Sequence, residues 1–296
     1  MAVSQPCPAK VNLFLEVTGK KRDGRRTLAA LFAKISLFDV VGVEESKAGF
    51  QFEIIDEIGQ GLESGEDNLV VKAARAFAAG FDAKLDVKLT LTKRIPMGAG
   101  LGGGSSDAAG TLAALSRYYH LKPDRFLLAK LKKIGARLGA NVPFFLRSEP
   151  MADGRGIGEK LTPFSAPQAL PWMVLVFPGR EVSTPAAFGR LVLPPSESVL
   201  TTLSHLDKLK KKIEKGKPIS EWKAHLFNRL EEAVLDRHPE VRQAKNILGR
   251  AGLEGVLMSG SGASVFGFAS SHPEGERVVK RLRGYPWKVF LTSCLG

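Results

Sequence analysis

The sequence predicts mixed strands and helices folded as two domains, and three observations predict it. A chain of 296 residues is long enough for two cores of ordinary size. Apolar residues alternate with polar ones in some segments and recur at helical spacing in others. A proline-rich shift in composition, Pro163-Phe164-Ser165-Ala166-Pro167-Gln168-Ala169-Leu170-Pro171, interrupts the chain past its midpoint. The expected division is residues 1–163 and 164–296.

Taken in order, Lys10-Val11-Asn12-Leu13-Phe14-Leu15-Glu16-Val17 alternates and reads as a strand. Gly19 to Gly24 turns it into a second strand-rich stretch, Leu28 to Val43, so antiparallel pairing is expected. The segment from Asp67 to Phe77 carries helical spacing of apolar residues, with Asp67 as its cap. Lys84 to Lys93 sets Leu85, Val87, Leu89 and Leu91 against polar neighbours and predicts a strand leading into a glycine-rich loop. Helices follow at about Ser106 to Tyr119 and Asp124 to Leu138, then the segment Gly139 to Leu146. Past the proline-rich stretch come a strand over Trp172 to Phe177, helices near Glu221 to Leu235 and Pro239 to Ala251, and strands around Val256, Val265 and Val289. No internal repeat is visible.

Composition narrows the classes of function. Apolar content of 44% and charged content of 25% are those of a globular protein. No run of about 18 apolar residues is present, and the start Met1-Ala2-Val3-Ser4-Gln5-Pro6 lacks the apolar core of a signal peptide, so a cytoplasmic protein with no membrane partner is expected. Two cysteines, Cys7 and Cys294, are too few for a disulfide framework and read as reduced and structural. The five histidines are scattered without ligand spacing, which argues against a built-in transition-metal site. A net charge of +13 suits anionic partners such as nucleotides. The dense block Lys208 to Lys217 has no interleaved aromatics and reads as a solvated helix end or loop.

The most informative stretch is Pro96-Met97-Gly98-Ala99-Gly100-Leu101-Gly102-Gly103-Gly104-Ser105-Ser106, which runs into the Ala-rich start of a helix. Glycine admits left-handed dihedrals and removes the side chain that blocks close approach, so successive N–H groups can turn toward one anion. The free N–H groups and positive dipole end of the next helix add to that cradle. Other readings are a dinucleotide turn, since Gly98, Gly100 and Gly103 spell G-x-G-x-x-G, and a loop whose glycines only make turns. The first lacks an acidic residue closing a second strand. No Lys-Ser or Lys-Thr follows the glycines, so the loop is not a P-loop.

That loop, with Pro8-Ala9-Lys10-Val11-Asn12-Leu13, Gly139-Ala140-Asn141-Val142-Pro143-Phe144 and Met258-Ser259-Gly260-Ser261-Gly262-Ala263, resembles the galactokinase, homoserine kinase, mevalonate kinase and phosphomevalonate kinase superfamily. The likeness extends to Asp67-Asn68-Leu69-Val70, Gly154 to Glu159, Val182-Ser183-Thr184 and Phe227-Asn228-Arg229-Leu230-Glu231. It is strongest for the branch that phosphorylates a cytidine-diphosphate-linked methylerythritol in the non-mevalonate route to isoprenoid precursors. The resemblance implies an α+β kinase fold: residues 1–163 an ATP-binding domain like the second domain of ribosomal protein S5, residues 164–296 ferredoxin-like, and the active site in the cleft between them. ATP and Mg²⁺ are implied as cofactors, with no residue assigned as a metal ligand. The implied partner is the small cytidine-linked alcohol, with no nucleic acid, in a monomer or homodimer.

By the same matching, Lys10 stands beside the attacking hydroxyl and Asn141 faces it. Asn68 contacts the nucleotide and residues Pro96 to Ser106 hold it, Ser105 and Ser106 meeting phosphate or metal. Asn12, Arg25, Arg26, Thr184 and Phe188 hold the substrate. The second glycine run, Ser259 to Ala263, packs near the phosphate loop in the family; from the residues alone it also reads as a hairpin turn.

Two positions depart from the branch. Asn141 stands where the family usually has an aspartate that accepts the hydroxyl proton, and Asp23-Gly24-Arg25-Arg26 replaces Asp-Gly-Tyr-His at the cytosine. An amide is no base, and guanidinium groups accept no hydrogen bond. These departures keep a kinase for another small alcohol, or a weakened nucleotide-binding homologue, as alternatives.

Overall fold

The computed structural model describes residues 2–62 and 64–296. The chain runs β1 (Val3–Lys20), β2 (Arg26–Glu45), β3 (Gln51–Asp56), α1 (Leu69–Phe81), β4 (Val87–Lys93), α2 (Gly103–Tyr118), α3 (Arg125–Leu138) and α4 (Val142–Phe145). It continues with β5 (Met151–Arg155), β6 (Lys160–Phe164), β7 (Met173–Phe177), α5 (Thr184–Arg190), α6 (Ser196–Glu214) and α7 (Ile219–Trp222). After a 3₁₀ turn at Lys223–His225 come β8 (Phe227–Asn228), α8 (Glu231–Val234), α9 (Pro239–Arg250), β9 (Glu254–Met258), β10 (Val265–Phe268), α10 (His272–Leu282) and β11 (Lys288–Thr292). No helix among the described residues is long and apolar enough to cross a membrane.

The chain divides into two compact units, each assembled from separated segments. The first takes the chain up to Ala9, Leu37–Met97 and Gly102–Ser148. In it β4 pairs antiparallel with β2 and parallel with β3. Strict alternation along β4 buries Val87, Leu89 and Leu91 on one face, as period-2 pleating requires. These meet Val70 and Phe77 of α1, Leu112 and Leu115 of α2, Leu131 of α3 and Val142 of α4 in one core. Cys7 lies in that core; it is free, and burial pushes its thiol well up.

The second unit takes Lys10–Ser36, Gly98–Leu101 and Glu149–Gly296. Here β5 pairs with β2 and with β6, and β8 runs parallel to β1 with Phe14 opposite Phe227 and Leu15 opposite Asn228. A separate four-stranded antiparallel sheet has the order β11-β7-β10-β9. All five residues of its inner strand β7 are buried, so that strand reads as an apolar run rather than an alternation. Cys294 bridges to Ile35, and burial raises its thiol to about 12.

The α+β organisation is as expected, with local corrections. Asn68, not Asp67, caps α1: its backbone is extended and its Oδ1 accepts the Val70 N–H at 2.9 Å. Asp67 instead pairs with Lys72 on the surface. The helix expected over Glu221 to Leu235 is broken into α7, the 3₁₀ turn, β8 and α8. Tertiary pairing overrides local propensity there: the Arg229 N–H donates to Leu15 O at 2.8 Å, and its guanidinium meets the fully buried Glu16 carboxylate at 2.7 Å. The basic block is the last part of α6 and the residues after it, with Lys210 paired to Asp153 and Lys217 to Glu221.

Candidate active site

β4 delivers the chain into the glycine loop through a buried charge cluster in the first unit. Lys93, on the buried face of β4, donates to Asp39 of β2 and, at 3.0 Å, to Asp107 in the second turn of α2. Asp39 also accepts the N–H groups of Arg94 (2.6 Å) and Ile95 (2.8 Å). An isolated buried charge is costly, so these groups persist only as a set. Burial pushes the Asp107 carboxyl up, and the neighbouring Asp39 pushes it further. Burial acts downward on Lys93, yet the carboxylates of Asp107 and Asp39 override it and hold the amine above its ordinary value. The cluster pins both the exit of β4 and the start of α2, and the loop between them is fixed at its two ends.

Within the loop Gly98, Gly100 and Gly102 all have left-handed dihedrals, with φ of +60°, +73° and +72°. Gly102 caps α2 with no side-chain bond, and the first turn of α2 carries no acidic residue. Its N–H groups and dipole are therefore uncompensated by local side chains. The Ser106 hydroxyl is buried there without a partner among the described residues. At the other end Met97 is exposed and its N–H donates to Gln60 at 2.8 Å.

In the second unit Lys10 and Asn12, both buried on β1, form a pair. The Lys10 amine donates to Asn12 Oδ1 at 2.5 Å and to Gly100 O at 2.6 Å, while its own N–H donates to Leu101 O at 2.9 Å. Two of the three ammonium hydrogens are thus directed by the protein and one is left for a ligand. The Asn12 amide nitrogen is likewise buried with no partner among the described residues. Burial alone lowers Lys10 to about 7.

The second glycine run lies against the first. Ser259 Oγ donates to Gly100 O at 3.0 Å, and the Ser264 N–H donates to Ala99 O at 3.1 Å. A Cβ on Gly100 would fall 2.0 Å from Ser259 O, so only glycine fits at that crossing. Ser259 to Ala263 is thus the turn between the antiparallel strands β9 and β10, as a hairpin reading expects, and it also packs on the first glycine loop.

The remaining expected residues are distributed between the units. In the first, Gly104 stands against Leu69, next to Asn68, with 3.4 Å from its ideal Cβ to Leu69 Cδ1; the Asn68 Oδ1 is engaged in the helix cap. Asn141 is the N-cap of α4 without a side-chain cap bond, half-buried, in a turn whose Gly139 lies 3.7 Å from Ser105 Oγ measured from its ideal Cβ. In the second unit Arg25 is exposed and folds back onto Asp23 at 2.6 Å, whereas Arg26 donates to Leu191 O at 3.1 Å. Leu191 follows α5, which carries exposed Thr184 and half-buried Phe188; the Thr184 hydroxyl meets that of Ser261 at 2.7 Å. Sequence reasoning missed Asp39, Lys93 and Asp107, although a lone lysine on the apolar face of β4 was a readable sign.

Residues 68–149 match the GHMP kinases N terminal domain and residues 207–286 the GHMP kinases C terminal domain. A 4-diphosphocytidyl-2-C-methyl-D-erythritol kinase of Syntrophus aciditrophicus is 37% identical over 97% of this chain and 98% of its own length. A kinase of the same name from Thermus thermophilus is 38% identical, over 94% and 92%. A crystal structure of 4-(cytidine 5'-diphospho)-2C-methyl-D-erythritol kinase superposes with a TM-score of 0.79 at 34% identity, covering 99% of this chain and all of the other. Homoserine kinase from Cytophaga hutchinsonii, at 18% identity and a TM-score of 0.77 over 99% and 95%, shares the fold. The chain belongs to the GHMP kinases and is an ATP-dependent phosphotransferase.

Proposed function

We propose that this chain transfers the γ-phosphoryl group of ATP to the 2-hydroxyl of 4-diphosphocytidyl-2-C-methyl-D-erythritol. The observation that carries the reading is full-length similarity to kinases named for that substrate, in a chain that keeps the buried Lys10–Asn12 pair against the glycine loop. Phosphoryl transfer asks little covalent chemistry of the protein and mostly positioning and neutralisation of charge. The N–H groups of Gly100 to Ser106 receive the phosphates, and the third hydrogen of the Lys10 amine meets the charge that develops on the transferring group. Asn12, with its amide nitrogen buried and unused among the described residues, orients the acceptor.

A Mg²⁺ ion fits this setting: the buried Ser106 hydroxyl, without a partner among the described residues, is a hard oxygen donor beside the proposed phosphate cradle. When bound with ATP the ion neutralises phosphate charge. The test of the reading is an assay of purified protein with Mg-ATP against the cytidine-linked alcohol, homoserine and a panel of small alcohols. Turnover on the first alone supports it, and preference for another alcohol overturns it.

Two variants probe the departures. Family resemblance sets position 141 against the acceptor hydroxyl, and Asn and Asp are nearly isosteric. Asn141→Asp is expected to fold normally and to raise turnover at least about tenfold, the low end of general-base catalysis. Steady-state rates with unchanged ATP affinity check it; a flat rate means that transfer proceeds without a base. At the positions that the resemblance sets at the cytosine, the Arg25 guanidinium is paired with Asp23. Arg25→Tyr with Arg26→His is expected to raise kcat/KM for the cytidine-linked alcohol about 5- to 30-fold, equivalent to the roughly one to two kcal/mol of one stacked or hydrogen-bonded contact. An equal or lower kcat/KM counts against cytosine recognition at these positions.

A further inference from the structure

The motif Phe227-Asn228-Arg229-Leu230-Glu231 has so far only a structural place, and its side chains show what it does. Asn228 is 3% exposed and its amide is fully engaged: Nδ2 donates to Met258 O at 2.7 Å and to Gly260 O at 2.8 Å, and Oδ1 accepts the Leu230 N–H at 3.0 Å. Glu231 adds a third fastening, its Oε1 accepting the Met258 N–H at 2.9 Å while its other oxygen takes Lys245 at 2.5 Å. One short segment thus holds two carbonyls and one N–H of the chain entering the Ser259–Gly262 turn. The same segment is hydrogen-bonded to β1, the strand that carries Lys10 and Asn12.

That turn is the wall against which the Lys10 amine stands. A Cβ on Gly260, whose φ is +55°, would lie 3.0 Å from Lys10 Nζ, 2.9 Å from Gly100 O and 3.4 Å from Asn12 Oδ1. Ser259 also shares the Gly100 carbonyl with Lys10. We infer that Asn228 is a positioning residue for phosphoryl transfer: it holds the Ser259–Gly262 turn so that the Lys10 amine and the Gly100 carbonyl keep one geometry. The inference rests on the kinase reading above and deepens it. Asn228, its amide engaged by Met258, Gly260 and Leu230, acts through the turn.

Asn228→Asp tests it with almost no change of volume. The carboxylate still accepts from Leu230, but it sets an acceptor against two carbonyls that need donors. Turnover is expected to fall about 10- to 100-fold, the scale of a small misplacement at a reacting centre. The acceptor KM is expected to change by less than about threefold. In a Lys10→Ala background the same substitution is expected to cost less than about threefold, since the amine it positions is gone. In an NMR titration of the Lys10 ε-carbon, which requires no acceptor, the amine of the uncharged variant Asn228→Ala should titrate at higher pH than the parent, because a loosened wall admits water, whereas the carboxylate of Asn228→Asp would raise it by charge alone.

Full turnover in a folded Asn228→Asp protein overturns the inference. So does an equal loss in both backgrounds with an unmoved Lys10 titration in Asn228→Ala, which would make Asn228 a fold residue only. If Asn228→Asp does not fold, Gly260→Ala pushes a methyl group against the amine from the other side, and the same cycle and titration decide. Should the parent fail on the cytidine-linked alcohol, the substrate reading falls, and the Lys10 titration still judges the positioning claim on its own.

Discussion

Gly100→Ala is expected to lower turnover by at least about a hundredfold, the scale of roughly an ångström of misplacement at the reacting groups. The methyl group would sit 2.0 Å from Ser259 O, 2.9 Å from Gly262 O and 3.0 Å from Gly262 N. All three neighbours are main chain, so no flexible side chain can give way. The left-handed φ of +73° adds strain of about 1–2 kcal/mol for a residue with a Cβ. Either the loop or the Ser259–Gly262 turn must shift, and both contact the Gly100–Lys10 pair. Mg-ATP affinity is expected to fall with turnover, because the displaced N–H groups belong to the proposed phosphate cradle. Gly103→Ala is the comparison: its φ is not left-handed and its Cβ would meet Lys93 Nζ at 2.9 Å and Ile95 Cγ2 at 3.0 Å, so a smaller loss is expected. Isothermal titration with Mg-ATP and steady-state rates separate the two. Parent-like ATP binding in Gly100→Ala would remove the loop from the phosphate site.

The glycine loop was legible because its composition has few other uses: five glycines and two serines leading into a helix constrain the backbone whatever surrounds it. Lys10 and Asn12 were legible as members of a motif, yet nothing local says that the amine is buried and bonded to Gly100, ninety positions away. The Asp39–Lys93–Asp107 cluster joins residues 54 and 14 positions apart, and each taken singly reads as an ordinary charge. Periodicity carried β4 and α3 because one face of each is buried; it failed at Glu221 to Leu235, where a buried ion pair and a two-residue strand outweigh helical spacing. Asp67 and Asn68 are both good caps by type, and only the backbone dihedrals decide between them. The two compact units each draw on β1 and β2, so one cut in the sequence does not describe them.

Lys10→Ala carries the second large effect, and the arrangement around the amine gives its form. Burial lowers Lys10 to about 7, with no anionic side chain to restore it. Because the folded value lies below the ordinary 10.5, the unfolded chain binds the extra proton between about pH 7 and 10.5; the cost of burying the cation is full below 7 and fades as pH rises through that window. In the proposed site ATP phosphates would reverse the balance, since a nearby anion favours the charged amine. kcat/KM for ATP, which reports the free enzyme, is therefore expected to decline as pH rises through about 7, while kcat at saturating ATP holds to higher pH. Lys10→Ala is expected to lower kcat by about 10²- to 10³-fold, the worth of one donor aimed at developing charge. ATP affinity is expected to change by only a few fold, because that interaction grows in the transition state, and the limb near pH 7 should vanish with the amine. A parent profile that rises rather than falls through pH 7 would make neutral Lys10 the proton acceptor. Near-normal kcat in Lys10→Ala would leave the buried amine as a brace for Gly100 alone.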